Sequence, residues 1–128
     1  MTETIATEVG EAIDGYFAMW NETDPARRRA IITDTWTDDA SYVEPLMAVE
    51  GHEGLNAGVA GMQAQFPSHD LRLSGGIESH HDRVRWRWEL FGPDGGDALA
   101  AGTNVGTLAD DGRLRQVTGF FDHTDGVA

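Results

Sequence analysis

A glutamate between an aromatic residue and a proline is the first candidate for chemistry in this chain. In the stretch Ser41-Tyr42-Val43-Glu44-Pro45, tyrosine and valine favour a strand, and proline ends it because it has no backbone N–H to donate. Strand alternation places Tyr42 and Glu44 on one face. Glu44 is therefore either an exposed charge at the rim of a sheet or an acid held at the mouth of an apolar pocket.

Other reactive residue types offer less. The chain has no cysteine and all nine of its cations are arginines, which excludes thiolate, Cys-zinc and lysine chemistry. Its serines are isolated, with no G-x-S-x-G motif, so a serine hydrolase is not expected. No histidine pair has metal-ligand spacing on one element, and adjacent His80 and His81 would point to opposite sides of a strand. We expect no metal site and no cofactor.

The composition limits the class of protein and its partners. A chain of 128 residues with 40% hydrophobic content fits one globular domain. The net charge of −13 argues against nucleic acid or an anionic membrane as a partner, because both are polyanions. No apolar run reaches the roughly 18 residues of a membrane span, and the N-terminal residues show no signal peptide. These features predict a cytoplasmic protein.

Apolar residues at spacings of three and four predict three helices that would position the acid. The first covers about residues 5–21, and its apolar stripe includes Tyr16 and Trp20 beside Ile5. The second covers Pro25–Thr35, with Thr23 or Asp24 as its cap. The third covers about 52–66. Glycines at 54, 58 and 61 weaken it, so it could serve as a movable lid or wall.

The second helix carries three arginines close to its start, at Arg27, Arg28 and Arg29. A solvent-exposed face is the ordinary interpretation of such a run. Phosphate binding is the alternative, but no glycine-rich loop precedes the helix.

The rest of the chain predicts strands. Residues 37–39 are expected to form a turn before the strand of Glu44, and residues 47–51 a loop after it. The tail at 124–128 is expected to be frayed. Four strands follow the third helix: about His69–His80 with a bulge at Gly75-Gly76, Asp82–Phe91, Asp97–Leu108 and Arg113–Asp122.

Alternation in two of these strands suggests a hollow. Trp86 and Trp88 share one face of their strand, opposite a row of arginines, and small residues share a face of the next strand around Asn104. If both rows face one concave sheet, the small side chains leave space that a ligand, the third helix or the protein's own side chains must fill. The element order α-α-β-α-β-β-β-β predicts an α+β fold in a single domain, 1–128, with its core at about 5–123.

Four stretches in this order resemble the nuclear transport factor 2-like superfamily, and within it the SnoaL-like polyketide cyclases and ketosteroid isomerases. The resemblance implies a cone-shaped barrel, with three N-terminal helices packed in the concave face of a curved, mainly antiparallel sheet. It also implies a homodimer through the outer face of that sheet. The stretches are Tyr16-Phe17-Ala18-Met19-Trp20-Asn21 with Asp24-Pro25, Asp38-Asp39-Ala40-Ser41-Tyr42-Val43-Glu44-Pro45, Gly51-His52-Glu53-Gly54-Leu55, and Asp110-Asp111-Gly112-Arg113-Leu114 running to Gly119-Phe120-Phe121.

The resemblance also implies roles for three residues. The isomerase pattern has a base before a proline, a tyrosine on the first helix and an oxyanion-hole acid, which fall on Glu44, Tyr16 and Asn104. Glutamate replaces aspartate and an amide replaces a protonated acid, which argues against steroid isomerisation in particular. The walls of the pocket would be Trp20, Trp36, Tyr42, Met62, Phe66, Trp86, Trp88 and Phe120.

The resulting hypothesis is an isomerase or cyclase that binds a hydrophobic cyclic carbonyl compound. Glu44 would remove a proton from a carbon next to the carbonyl, with its pKa raised toward neutral by apolar neighbours. Tyr16 and Asn104 would hydrogen-bond the oxygen as charge develops. The alternatives are a non-catalytic carrier or sensor for an apolar ligand in the same pocket, and a scaffold that fills its own hollow.

Overall fold

A computed structural model describes the backbone of residues 2–123 and the side chains of residues 7–122. The predictions for Ile5 and for the tail 124–128 lie outside these described residues. Three helices and six strands follow one another in the order α1 Thr2–Asn21, α2 Pro25–Thr35, β1 Trp36–Glu44, β2 Met47–Glu50, α3 Gly51–Gln65, β3 Asp70–His80, β4 Arg83–Phe91, β5 Ala100–Leu108 and β6 Leu114–His123.

The six strands form one sheet in the order β2-β1-β6-β5-β4-β3. Only the β1–β6 pair is parallel, and the other neighbours are antiparallel. The three helices pack against one face of this curved sheet, which confirms the predicted α+β architecture. The sheet is open, because β2 and β3 are edge strands, so it does not close into a barrel. Within the described residues, none of the helices is long and apolar enough to cross a membrane.

Two predicted connections are wrong. The predicted loop at 47–51 is mostly strand, since Met47–Glu50 pairs with β1 from Glu44 to Ser41 and the chain turns back at Pro45-Leu46. The predicted turn at 37–39 lies within β1, where the pairing with β6 shifts register between Trp36 and Ser41. Strand pairing supports residues 47–50, and residues 37–39 continue β1 between its paired residues Trp36 and Ser41. The local sequence of these segments does not show which strands pair around them.

Several local predictions hold. Asp24 caps α2 by accepting a hydrogen bond from the Arg27 backbone N–H at 2.8 Å, and Pro25 occupies the first turn. The predicted bulge in β3 appears as a register shift between Ser74 and Glu78, with Gly75 at φ +77°. Strand β5 begins at Ala100, three residues after the predicted start at 97, because residues 92–99 form a longer connection.

Arg28 corrects the prediction of an exposed arginine face on α2. Its side chain is 1% exposed, whereas Arg27 and Arg29 are exposed. Burial is possible because the guanidinium N–H groups find neutral acceptors on two segments, the connection between α1 and α2, and α3, including Asn56 Oδ1 and Gln63 Oε1 at 2.8 Å each. Arg28 therefore ties the end of α1 and the start of α2 to α3.

The concave face of the sheet carries the core. On β4, Val84, Trp86 and Trp88 face inward, while the intervening arginines face outward, as predicted. The small residues of β5 do not leave all their space empty. A Cβ at Gly102 would collide with the Trp88 ring, so this glycine lets the indole lie directly against the strand. The tryptophans thus fill part of the predicted hollow, and the rest of it opens as a pocket.

Candidate functional site

A pocket opens between the end of α1, the end of α3 and the concave face of the sheet. It holds about 760 Å³ of empty space when its mouth is included, and about 100 Å³ in its interior. Its walls are mostly apolar, with Trp20, Met62, Phe66, Leu71, Trp88 and Phe121 among them. The polar groups on its surface are few and include Tyr16, Tyr42 and Glu44. An apolar pocket with a few convergent polar groups is typical of a small-molecule site.

Glu44 reaches this pocket from the last position of β1. Strand alternation places it on the same face as buried Tyr42, while Val43 faces outward and is 46% exposed. Its Oε2 accepts a hydrogen bond from the Leu46 backbone N–H at 3.3 Å. Its Oε1 is buried and has no hydrogen-bond partner among the described residues. Partial burial raises the pKa of Glu44, and the backbone bonds from Leu46 and Met47 oppose this only in part.

Behind the pocket wall, one amide connects two aromatic groups. The Trp88 indole donates to Asn104 Oδ1 at 3.1 Å, and Asn104 Nδ2 donates to the Tyr16 hydroxyl at 2.8 Å. Since an indole N–H is only a donor, the orientation of the Asn104 amide is fixed. The Tyr16 and Tyr42 hydroxyls lie 3.5 Å apart. This network holds the Tyr16 hydroxyl in place beside the pocket.

Tyr16 is a neutral donor over the whole physiological range. Burial raises its pKa to about 12, although its polar neighbours favour the phenolate. Burial likewise raises the pKa of Tyr42 well above its ordinary value. Both hydroxyls therefore keep their protons. If the Tyr42 O–H donates to the Tyr16 oxygen, the Tyr16 O–H can donate a hydrogen bond to an oxygen that becomes negative.

Gly119 on β6 makes this arrangement possible. It pairs with Asn104, and a Cβ at this position would lie 2.7 Å from Asn104 Oδ1 and 3.1 Å from Glu44 Cβ. Because a side chain has no room there, glycine lets the acid of β1 and the amide of β5 flank one point of β6. The proposed acid and its neighbouring network are thus brought together by three adjacent strands.

The structure brings together most of the residues selected from the sequence. The pocket wall includes Tyr16, Trp20, Tyr42, Glu44, Met62, Phe66 and Trp88. Asn104 lies directly behind that wall, with 0% exposure. Trp36 and Trp86 are also fully buried, but they pack in the core beneath Tyr16 and do not line the pocket.

Phe120 is a wrong prediction. Its side chain is 58% exposed on the outer face of the sheet, because it pairs with Thr103, whose side also faces outward. Its neighbour Phe121 faces inward and packs edge-on against Trp88, with ring centroids 5.7 Å apart. Gly119 pairs with inward-facing Asn104, and strand alternation counted from Gly119 places Phe121, not Phe120, on the inward face.

Sequence reasoning missed other parts of the wall. Leu46 lies in the turn after Glu44. Gln63 lines the pocket from α3, His69 from the segment that precedes β3, and Leu90 from β4. Their side chains meet only after the sheet has curved, so nothing in their local sequence marks them. Among the described residues, no group of three or more His, Asp or Glu side chains could hold a metal ion.

Comparisons with known proteins agree with this fold. A family profile described as a SnoaL-like domain matches residues 13–117. A candidate isomerase of the SnoaL-like family from Agrobacterium tumefaciens is 37% identical in sequence, with a TM-score of 0.85 over 91% of this chain and 98% of its own. A search of curated proteins returns no match.

More distant structures share the fold. A candidate SnoaL-like polyketide cyclase from Jannaschia is 21% identical, with a TM-score of 0.66 over 88% of this chain and 86% of its own. A protein of unknown function with a cystatin-like fold from Nostoc punctiforme is 14% identical, with a TM-score of 0.74 over 94% of this chain and 93% of its own.

Proposed function

This chain belongs to the SnoaL-like family, and from that premise we propose that it is a cofactor-independent isomerase or cyclase. Its substrate would be a hydrophobic cyclic carbonyl compound, and Glu44 would carry the proton. The observation that supports this most is the Glu44 carboxyl itself. It lies in a mostly apolar pocket, its pKa is raised by burial, and its Oε1 has no partner among the described residues.

The reaction would begin with proton removal from the carbon next to the carbonyl group. The C–H electron pair moves into the new carbon–carbon double bond, the carbonyl oxygen becomes negative, and the proton moves to Glu44. Tyr16 stabilises the oxygen by donating its O–H, and the neutral phenol persists because the pKa of Tyr16 is about 12. In an isomerisation the enolate is conjugated to a second double bond, and Glu44 returns the proton to the far carbon of that system. In a ring closure the enolate carbon attacks a second carbonyl carbon of the same substrate, the C=O electron pair moves to its oxygen, and Glu44 gives the proton to that oxygen.

The raised pKa suits Glu44 to this role. A carboxylate is a stronger base when its pKa is closer to the working pH, provided that it still ionises. Glu44 Oε1 is covered by neighbouring atoms, so proton transfer requires a rotation that turns this oxygen toward the ring. The Leu46 N–H holds Oε2 at 3.3 Å and keeps the carboxyl at the pocket wall.

The size of the pocket limits the substrate. Its interior of about 100 Å³ is smaller than an apolar cavity of about 150 Å³ that takes up benzene in another protein. We infer that a ring of the substrate enters the interior only in part and that most of the molecule occupies the wider mouth. A compact ring system with one carbonyl group fits this space better than a long polycyclic one.

A ligand carrier is the second candidate function, since the same apolar pocket could hold a ring without changing it. A thermal-shift screen of cyclic ketones, followed by product analysis of each stabilising compound, separates the two functions. If the protein is an enzyme, at least one ligand should be converted to a product, and Glu44→Gln should abolish this conversion. Ligands that stabilise the protein and return unchanged would support the carrier. Conversion by Glu44→Gln at the parental rate would exclude Glu44 as the base.

We also propose a homodimer through the outer face of the sheet. Val43, Val105 and Phe120 are 46%, 41% and 58% exposed on that face, and burying them would favour self-association. Sedimentation velocity should show a dimer that Phe120→Asp converts to a monomer. A monomeric parent protein would contradict this proposal. The cytoplasmic location, and the absence of nucleic-acid and membrane partners, stay predictions from the sequence.

A further inference from the structure

Trp20 lies where α1 ends and contacts both tyrosines of the pocket. Its ring packs edge-on against Tyr42, with centroids 5.9 Å apart, and against Tyr16, with centroids 6.5 Å apart. The ring forms part of the pocket wall. Its indole N–H is buried and has no hydrogen-bond partner among the described residues. A buried donor without an acceptor costs free energy, so its place in a pocket needs a reason.

Asn104 cannot fill the role that the isomerase pattern gives it. Its Oδ1 accepts from Trp88, its Nδ2 donates to Tyr16, and the whole side chain is shielded from the pocket. Asn104 is therefore a positioning residue, which holds the Tyr16 oxygen through the amide. The second donor to a ligand oxygen must come from another side chain.

The Tyr16 oxygen has little capacity left for Trp20. It accepts from Asn104 at 2.8 Å, and the Tyr42 hydroxyl, 3.5 Å away, can donate to it as well. A phenol oxygen accepts two such bonds and donates one. Tyr16 and Trp20 lie one turn apart on the same face of α1, their ring centroids are 6.5 Å apart, and both line the pocket. Two donors, the Tyr16 O–H and the Trp20 N–H, thus lie side by side at the pocket wall.

We propose that the Trp20 indole N–H and the Tyr16 hydroxyl together bind the oxygen of the ligand. This inference rests on the proposed function only in taking an oxygen-bearing ring as the ligand, and it does not require proton transfer to Glu44. It makes Trp20 a binding residue with a specific polar role, in addition to its apolar wall. Because the N–H is buried, the Trp20 ring must turn slightly on binding so that the N–H reaches the ligand oxygen.

An indole N–H without a hydrogen-bond partner is not by itself a sign of ligand binding. Trp36 and Trp86 also have buried indole N–H groups without partners among the described residues. Their rings lie in the core and do not line the pocket. Trp20 differs because its ring forms part of the pocket wall, together with Tyr16. Trp86 therefore provides a matched control, with the same ring and the same unpartnered N–H outside the pocket wall.

The test compares two ring compounds that differ by one hydroxyl group, 2-naphthol and naphthalene. Their dissociation constants are measured for the parent protein, Trp20→Phe, Tyr16→Phe and Trp86→Phe. The parent protein and Trp86→Phe should prefer 2-naphthol. In Trp20→Phe this preference should fall by about tenfold, the usual worth of one hydrogen bond in a dry site. Loss of apolar contact area at the pocket wall should weaken the binding of both compounds equally. The ratio of their two dissociation constants therefore reports the contribution of the indole N–H alone.

A second measurement does not depend on a folded variant. In a ¹H–¹⁵N spectrum the indole N–H signals of the four tryptophans are separate probes, and the Trp20 signal should move downfield with 2-naphthol but not with naphthalene. An unchanged Trp20 signal, or a Trp20→Phe variant with the parental preference, would overturn the proposal. A preference lost equally in Trp86→Phe would also overturn it. If the oxygen preference depends on Trp20 but no ring compound is converted, the proposed enzyme activity fails and this inference stands.

Discussion

Two clusters of buried polar groups lie against α3, and they differ in how completely their hydrogen bonds are made. Around Arg28, the guanidinium donates to Glu22 O, Asn56 Oδ1 and Gln63 Oε1 at 2.8–3.0 Å, with weaker bonds to Thr23 O and Asn56 O. In the pocket, Glu44 Oε1 and the Trp20 N–H have no partner among the described residues. The first cluster is saturated and the second is not.

The difference indicates which cluster stabilises the fold and which one serves a ligand. A buried cation is tolerated when all its donors are engaged, and it then rigidifies the segments around it. Unmatched groups in a pocket lower the stability of the free protein and become useful when a ligand completes them. Gln63 joins the two regions, since it accepts from Arg28, donates to the Trp20 backbone carbonyl at 2.9 Å and also lines the pocket.

The largest loss of stability is expected from a substitution that removes Arg28, the centre of the saturated cluster. Arg28→Met should lower the free energy of unfolding by about 3–5 kcal/mol, because the buried acceptors of α1 and α3 lose their donor. Urea denaturation measures the change. The control is Arg29→Met, whose side chain is 56% exposed and pairs with Glu53, and which should change stability by less than about 1 kcal/mol. Equal losses in both variants would show that Arg28 does not hold the helices together.

A smaller loss of stability is expected from a substitution at Gly119, the residue of β6 that lies between Glu44 and Asn104. Gly119→Ala places a Cβ 2.7 Å from Asn104 Oδ1, so we expect a loss of about 1–3 kcal/mol and weaker ring binding. Gly76→Ala is the control, since a Cβ there meets nothing within 4 Å. Denaturation and a binding titration measure both changes. If Gly119→Ala bound ligand like the parent protein, the close approach of the strands would not matter for the site.

The smallest effect is a pH dependence of stability. Burial raises the pKa of Glu44 above its ordinary value of 4.5, so the folded protein keeps this proton after the unfolded chain has lost it. The stability due to protonated Glu44 is therefore present below 4.5 and is lost as pH rises through the raised pKa. Glu44→Gln should become more stable relative to the parent protein across this window.

Urea midpoints at about pH 4 and about pH 8 test this prediction for the parent protein and for Glu44→Gln. Glu11→Gln, at an exposed position of α1, controls for the loss of one negative charge. If the stability of Glu44→Gln fell relative to the parent protein as pH rose, the ionised carboxylate would be stabilised in the fold. The second cluster would then be as well satisfied as the first.

The sequence predicts the fold and the acid better than it predicts the rest of the site. Alternation in β1 and β4 places Glu44, Tyr42 and Trp88 correctly, because each strand has one face toward the core. Helix periodicity likewise places Tyr16 and Trp20. These positions depend on the local pattern and the order of elements, and both can be read from one chain.

What the sequence could not supply depends on contacts between distant segments. Arg28 looks like its exposed neighbours, and only the packing of α3 against α2 provides its acceptors. Phe120 and Phe121 are adjacent aromatic residues, and the pairing of β6 with β5 decides which one faces inward. Asn104 was correctly placed near Tyr16, but the bond from Trp88 that occupies its oxygen is a property of the folded sheet.

The most direct test of Glu44 as the base is hydrogen–deuterium exchange at the carbon next to a carbonyl group. With 2-tetralone in D₂O, deuterium at the carbon next to the carbonyl is counted by NMR for the parent protein and for Glu44→Gln. A base role for Glu44 predicts that the parent protein accelerates exchange and that the substitution lowers this acceleration by about 10²- to 10⁴-fold, the usual contribution of a general base. Exchange in Glu44→Gln at the parental rate would contradict it, because the proton would then leave by another group.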